Sequence, residues 1–453
     1  MNNTICLNMI VKNESKIITR LFDSVYKIID YYCICDTGST DDTIDIIKEY
    51  FKGKNIPGEI IKKKFVNFGY NRTFALEAAK NKATYLLFLD ADMILHINKS
   101  FDKKKLNKDA YHVIQKNAKL NYYNIRLIKS NIGVKCIGPT HEYYNIPKER
   151  TSGNLNEIYI EDVGDGGSKV NKFERDIRLL EEGIKEEPNN DRYHFYLANS
   201  YYNTNKLDKA NEFYTKRIKL GGWIEEVWYS YYCIGLIYHK QKNYEKAIFT
   251  WLKAYQVHPT RSENIYEICK HYRIIGECNT SYLFYKIGKE IPYPKDDVLF
   301  IHKQVYDYLF DYEFSIIVDH INKRNEAVDV SMKLLNNENN VHINNILSNY
   351  KFYAPKLINL EHKEIDISEK LDDTFISSTP SILFHNNKFL INTRFVNYRI
   401  DNNGNYINQD QIITINKYCE YDKNFNLIKS KLFENKKTED LYIGIEDIRL
   451  FQF

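Results

Sequence analysis

The sequence predicts three consecutive regions: an α/β domain over residues 1–172, an α-helical repeat domain over 173–335, and a β-rich region over 350–453. Three observations carry this reading. Short apolar runs alternate with helix-like stretches up to about Lys172, the pattern of a parallel sheet covered by helices. Small and aromatic residues then recur every 34–37 positions, the mark of stacked helix pairs. From about residue 350 the apolar runs shorten to strand length, with Asn- and Gly-containing turns between them.

In the first region, Thr4–Val11 is an apolar run read as a strand. Ile17, Ile18, Leu21, Phe22, Val25 and Ile28 follow at helical spacing. Tyr31–Cys35 reads as a second strand ending at Asp36-Thr37-Gly38-Ser39-Thr40-Asp41, where Ser39 or Thr40 is expected to cap the next helix. Gly69–Lys80 is a third helix, and Thr84–Leu89 a buried strand running into Asp90-Ala91-Asp92. Both acidic clusters thus fall at strand carboxyl ends, where open α/β sheets bind ligands.

In the second region, Ala198, Tyr201, Ala210 and Tyr214 recur as Gly235, Tyr238, Ala247 and Trp251, then as Cys269, Tyr272, Ser281 and Tyr285. Small residues suit helix crossings and aromatics fill the gaps, as in tetratricopeptide-like repeats, and Pro188 and Pro259 fall where helices should stop. In the third region Ser381–Phe384, Phe389–Asn392 and Gln411–Ile415 read as strands of an antiparallel sheet, with turns at His385–Lys388 and Asp401–Asn405. The Asn-rich stretch Leu334–Asn349 is the expected linker.

Composition narrows the function classes. Among 453 residues, 64 Lys and Arg stand against 60 Asp and Glu. A net charge of +4 argues against a protein that neutralises a nucleic-acid backbone, so no nucleic-acid partner is expected. No apolar run approaches the ~18 residues of a transmembrane helix, and Met1–Met9 lacks the basic and apolar parts of a signal peptide. The eight cysteines are scattered, and only Cys33 and Cys35 are close in sequence; reduced thiols and a cytoplasmic location are expected.

The chemistry concentrates at the strand ends. Two carboxylates spaced as in Asp90-Ala91-Asp92 can share a divalent ion, whose remaining oxygen ligands a nucleoside diphosphate supplies. Taken alone, Asp-x-Asp is also a common surface turn; its place directly after Leu86-Leu87-Phe88-Leu89 favours the site. Asp36, at the end of the second strand, is placed to accept a hydrogen bond from a base or ribose.

Leu7–Glu14, Asp36–Asp41, Asn71-Arg72-Thr73 and Phe88–Asp92, in this order, resemble the family-2 glycosyltransferases of GT-A (Rossmann-like) fold. Gly138-Pro139-Thr140-His141-Glu142-Tyr143, Asp165-Gly166-Gly167-Ser168-Lys169, Phe173-Glu174-Arg175-Asp176 and Gly221-Gly222-Trp223 resemble the subgroup joined to tetratricopeptide-like helices. The resemblance spans roughly residues 1–310. It implies an inverting transfer from a nucleotide-sugar, with a UDP-sugar the expected donor, to a hydroxyl of a glycan or protein, assisted by Mn²⁺ or Mg²⁺. Residue by residue, it implies donor binding by Lys12, Glu14, Asp36, Arg72, Asp90 and Lys172, with Asp36 on the base and Asp90 on the ribose or metal. Asp92 would be the direct metal ligand, joined by His141 and Asp165, and Glu142 the general base. Asp165 departs from the family pattern, which carries a histidine there. The glycine-rich loop 165–169 would let Lys169 and Lys172 close on phosphate.

Thr379–Ile382, Asn392–Tyr398 and Gly444–Leu450 resemble the opening of β-propeller glycosidases and phosphorylases. About a hundred residues make one or two blades where closure needs at least ~4, so an incomplete propeller without its own active site is expected. Two competing functions remain. A nucleotidyltransferase would place glycine after the first strand, and Val11-Lys12-Asn13-Glu14-Ser15 has none. An interaction scaffold with an inert α/β domain would have no reason to keep Asp36, Arg72, Asp90, Asp92 and Glu142 together.

Overall fold

The computed structural model describes residues 3–117, 121–167, 171–354, 371–407, 411–433 and 441–451. They fall into two compact units, 1–354 and 355–453. Among the described residues, no helix is long and apolar enough to cross a membrane.

The first unit opens with β1 (Ile5–Val11), α1 (Ile18–Val25), β2 (Tyr31–Asp36), α2 (Thr43–Lys54), β3 (Gly58–Lys62), α3 (Phe68–Ala79) and β4 (Tyr85–Phe88). The strands pair in the order β3-β2-β1-β4, all parallel. Alternate residues of β1 serve two cores. Leu7 and Met9 pack with Ile18, Phe22, Ile47 and Phe51 of α1 and α2, whereas Cys6 packs with Leu76 and Ala79 of α3. A sheet covered on both faces needs apolar residues at successive positions, which is why these strands read as continuous apolar runs.

Beyond β4 the expected parallel sheet becomes mixed. β5 (Met93–Ile97), β6 (Ala110–Lys116), β7 (Asn121–Lys129), β8 (Lys135–Ile137), β9 (Tyr143–Asn145) and β10 (Ser152–Asp162) follow. The eight-stranded sheet runs β3-β2-β1-β4-β7-β6-β10-β5, with β4–β7, β6–β7 and β10–β5 antiparallel. The connections explain the change: among the described residues no α-helix lies between β4 and β10, and parallel neighbours need a long crossover, which only β6 and β10, separated by β7–β9, have here.

The repeats form α4 (Lys172–Glu186), α5 (Asp191–Asn203), α6 (Leu207–Leu220), α7 (Ile224–Lys240), α8 (Tyr244–Val257), α9 (Glu263–Ile274) and α10 (Cys278–Glu290). The recurring small residues lie where paired helices cross: Ala198, Ala210, Ala247, Cys269 and Ser281 are fully buried. At Gly235 a Cβ would lie 2.2 Å from Nε1 of Trp251, a fully buried indole that donates to the Tyr232 carbonyl at 3.1 Å. Gly235→Ala is therefore expected to destabilise the chain by about 1–3 kcal/mol despite alanine's better helix propensity. Denaturant unfolding checks this; an unchanged midpoint would mean that Trp251 yields without cost.

The stretch Leu334–Asn349 is not a linker. After α11 (Phe310–Ile317), α12 (Arg324–Leu335) and α13 (Ile343–Tyr353) cover most of it. Leu334 and Ile346 are buried against Tyr308, and Asn340 donates to the Leu334 carbonyl at 2.9 Å. The asparagine richness that suggested a linker thus serves a helix end, while the apolar residues between the asparagines fill a core.

The second unit contains β11 (Ile376–His385), β12 (Lys388–Val396), β13 (Arg399–Ile400), β14 (Tyr406–Ile407), β15 (Ile412–Tyr421), β16 (Leu427–Phe433) and β17 (Tyr442–Ile443). β11-β12-β15-β16 is antiparallel, and β17 pairs with β15. The β11–β12 hairpin turns on Asn386 and Asn387, both at positive φ (+48° and +62°), a conformation asparagine tolerates well. Asp401 closes the β13–β14 turn by accepting the N–H groups of Asn403 and Asn405.

Candidate active site

The loops that follow β1, β2 and β4 open onto one cleft of about 540 Å³. Val11 and Asp36 are register partners, so the loops after β1 and β2 start side by side. Asn13 holds them together from a left-handed backbone (φ +57°): its N–H donates to Ser39 Oγ at 3.0 Å, and its Oδ1 accepts from Thr40 N at 2.7 Å. Ser39 therefore ties loop to loop instead of capping α2, which starts after Asp42 without a side-chain cap, while Asp41 accepts the Thr43 N–H at 3.1 Å. Asp36 folds its carboxylate back onto the N–H groups of Gly38 and Ser39, and Thr37 beside it lines the cleft.

A ladder of alternating charge forms the floor. Arg72, on α3, donates from Nε to Glu142 Oε1 and from Nη2 to Asp90 Oδ1, both at 2.7 Å. Asp90 Oδ2 lies 3.7 Å from Arg126 Nη1. Arg126 donates to Gln115 Oε1 at 2.6 Å, and Gln115 donates to Asp162 Oδ2 at 3.2 Å. Burial works against the charge on Arg72, but Asp90, Tyr144 and Glu142 outweigh it and hold its pKa well above the ordinary arginine value. The guanidinium is thus a fixed cation in the cleft.

The turn before Glu142 is locked to the helix that carries Arg72. Phe68 and Gly69, at the start of α3, donate their N–H groups to the carbonyls of Pro139 and Gly138, both at 3.0 Å. These are helix-terminal donors that have no partner within the helix. A Cβ on Gly69 would lie 2.5 Å from the Gly138 carbonyl oxygen, so this close approach requires glycine.

The two carboxylates of Asp90-Ala91-Asp92 separate in space. Asp90 enters the ladder, whereas Asp92 lies under the loop at Gly166, where an added Cβ would sit 3.1 Å from its Oδ2. Glu14, buried beside it, accepts the Gly167 N–H at 3.3 Å. Burial raises the Glu14 pKa, and the nearby charges of Asp92, Asp41 and Asp165 add to the rise. Asp92 and Glu14 therefore offer hard oxygen donors in a locally negative, glycine-covered spot, which suits a divalent cation.

The comparisons with known proteins bear on this site. Residues 6–104, which include β1, β2, β4 and the Asp90–Asp92 segment, match the family model described as Glycosyl transferase family 2. The N-terminal region carries a family 2 glycosyltransferase domain. The SPbeta prophage-derived glycosyltransferase SunS of Bacillus subtilis (strain 168) is 28% identical over 232 residues, 48% of this chain and 53% of the relative. Glycosyltransferase SunS of Bacillus phage SPbeta matches with the same values. The chain spans about half the length of the curated relatives it matches. Among solved structures, MamA is 19% identical over 44% of this chain and 94% of its own, with a TM-score of 0.30. YrrB, a TPR protein, is 13% identical over 41% and 86%, also at a TM-score of 0.30.

Within the glycosyltransferase domain, the structure brings Lys12, Glu14, Arg72, Asp90 and Asp92 into one cleft lining. Glu142 stands behind Arg72, outside that lining, as does His141. The expected metal set does not assemble: among the described residues, no group of three His, Cys, Asp or Glu side chains could hold a metal ion. Asp165 is gripped by both terminal nitrogens of Arg20, at 2.8 and 2.6 Å. His141 stacks on Tyr196 with centroids 4.0 Å apart, and its Nε2 lies 3.7 Å from Asp176 Oδ2. Burial holds its pKa down to about 4 against the pull of Asp176, so the ring is neutral at pH 7. Lys172 is the first residue of α4, outside the cleft lining, and Ser168 and Lys169 lie outside the described residues.

The cleft also contains residues that sequence reasoning missed. Gln115, Arg126 and Asp162 come from β6, β7 and β10, while Arg175 and Arg178 come from the first repeat-domain helix. Arg175 lies 4.8 Å from the Phe68 ring centroid. The Phe173–Asp176 segment stands out in the sequence, but nothing local says that α4 returns to the cleft.

Proposed function

We propose that this chain is a metal-dependent inverting glycosyltransferase that moves a sugar from a nucleoside diphosphate, with UDP the expected carrier, to a hydroxyl of a glycan or protein. One observation carries the reading: in a family 2 glycosyltransferase domain, the Asp92 and Glu14 carboxylates share the strand-end cleft with the fixed cation Arg72. Asp92, with Glu14 beside it, would hold Mn²⁺ or Mg²⁺, which neutralises charge on the leaving diphosphate when bound. Arg72, held in place by Asp90 and Glu142, offers the donor a positive group that need not reorganise as charge develops. Lys12 adds a further cation to the lining, and Asp36 shapes the neighbouring base-side loop. Glu142 is the general base in this reading: Arg72 takes Oε1, and Oε2 is the oxygen for the acceptor proton.

The test is calorimetry of UDP with and without Mn²⁺. Asp92→Asn is expected to weaken Mn²⁺-dependent UDP binding by about tenfold or more, in line with the loss of a direct charged ligand. Tight UDP binding that neither EDTA nor Asp92→Asn disturbs would overturn the metal assignment.

A further inference from the structure

We infer that Asp176, on the first helix of the repeat domain, is a positioning residue that holds the Thr140–Glu142 turn and the Arg175 wall of the cleft together. Its carboxylate is fully buried. Oδ1 accepts from Thr140 Oγ1 at 3.0 Å and from Arg175 Nη2 and Nε at 3.0 and 3.3 Å. Oδ2 is buried without a hydrogen bond among the described residues and lies 3.7 Å from His141 Nε2. A buried carboxylate persists only where its neighbours compensate it. Each of these neighbours leads to the site: Thr140 stands two residues before Glu142, and Arg175 lines the cleft.

The turn needs such an external hold. Gly138 sits at φ +111° and His141 at φ +52°, and a residue with a side chain keeps the latter backbone only when its surroundings impose it. The repeat domain imposes it at three further points. Arg192 Nη2 on α5 donates to the His141 carbonyl at 3.0 Å. The Tyr196 ring stacks on the His141 imidazole. Pro139 packs against Gly183 of α4, where a Cβ would lie 3.0 Å from its Cγ. From Glu142 the connection continues through Arg72 to Asp90. The helical repeats are thus a working part of the transferase site, a role that rests on the glycosyltransferase reading, although the hold itself does not.

The test uses the full chain with Asp176→Asn, Thr140→Val and Thr140→Ser. Amide hydrogen exchange is followed over 138–145 and, as a control, over α7 and α8, and Mn²⁺–UDP affinity is measured by calorimetry. Asp176→Asn and Thr140→Val are expected to speed exchange over 138–145 by about tenfold or more while α7 and α8 stay protected, because the opening is local. UDP affinity should fall with it, and Thr140→Ser, which restores the hydroxyl, should behave as the parent in both measurements. Unchanged exchange over 138–145 in folded Asp176→Asn and Thr140→Val would overturn the proposal, as would Thr140→Ser exchanging as fast as Thr140→Val. If Asp176→Asn does not fold, the Thr140 pair decides. A parent chain that binds no UDP would overturn the glycosyltransferase reading, and the exchange comparison would still decide the hold.

Discussion

Arg72→Leu is expected to destabilise the first unit by about 3–5 kcal/mol, the usual loss when one partner of a buried ion pair is removed. The guanidinium bridges Asp90 and Glu142, and its side chain is 12% exposed. Its loss leaves two partly buried carboxylates near each other, with Arg126 remaining 3.7 Å from Asp90. Arg72→Lys should lose less stability but not restore the site, because one ammonium cannot reproduce two divergent N–H bonds of 2.7 Å. Denaturant titration reads the first effect and UDP calorimetry the second. A loss below about 1 kcal/mol for Arg72→Leu, the range of exposed pairs, would show that the ladder carries no structural burden.

Glu142→Gln is expected to slow UDP release from UDP-sugars by about 10²–10⁴-fold, the contribution of a general base. UDP–Mn²⁺ affinity should remain close to that of the parent, because a glutamine carbonyl can still accept the Arg72 Nε–H. This separation distinguishes two roles for the same side chain. If affinity and rate fall together, Glu142 acts by orienting Arg72. If the rate is unchanged, the base lies elsewhere, and Asp162, a cleft-lining carboxylate held by Gln115, is the next residue to test by Asp162→Asn.

Which features were legible in the sequence follows from the range of the interactions behind them. β1, β2 and β4 stand out because a strand buried on both faces must be apolar at successive positions, a rule that acts over a few residues. The repeat is equally local in origin: Gly235 faces the Trp251 indole because each helix pair closes on itself within about 35 residues. The carboxyl-end positions of Asp36, Asp90 and Asp92 come with the strands. Composition misled where it stood in for packing, at 334–349, where Leu334 and Ile346 find Tyr308 despite the asparagines around them.

The sequence by itself determined the strand–helix alternation up to β4, the recurring helix pairs, the family resemblance and the strand ends at which a ligand would sit. Tertiary structure alone decided the partners. Asp90 and Asp92 are two residues apart and chemically alike, yet one joins two arginines and the other lies beneath Gly166. Arg72 meets Glu142 across 70 positions, Arg20 meets Asp165 across 145, and Thr140 meets Asp176 of α4 across 36. Such contacts leave no periodic trace, because a charged side chain reads the same whether it faces water or a buried counter-charge. Only closure of the mixed sheet and the return of α4 to the cleft removes that water, and with it goes the screening that makes a charge indifferent to its neighbours.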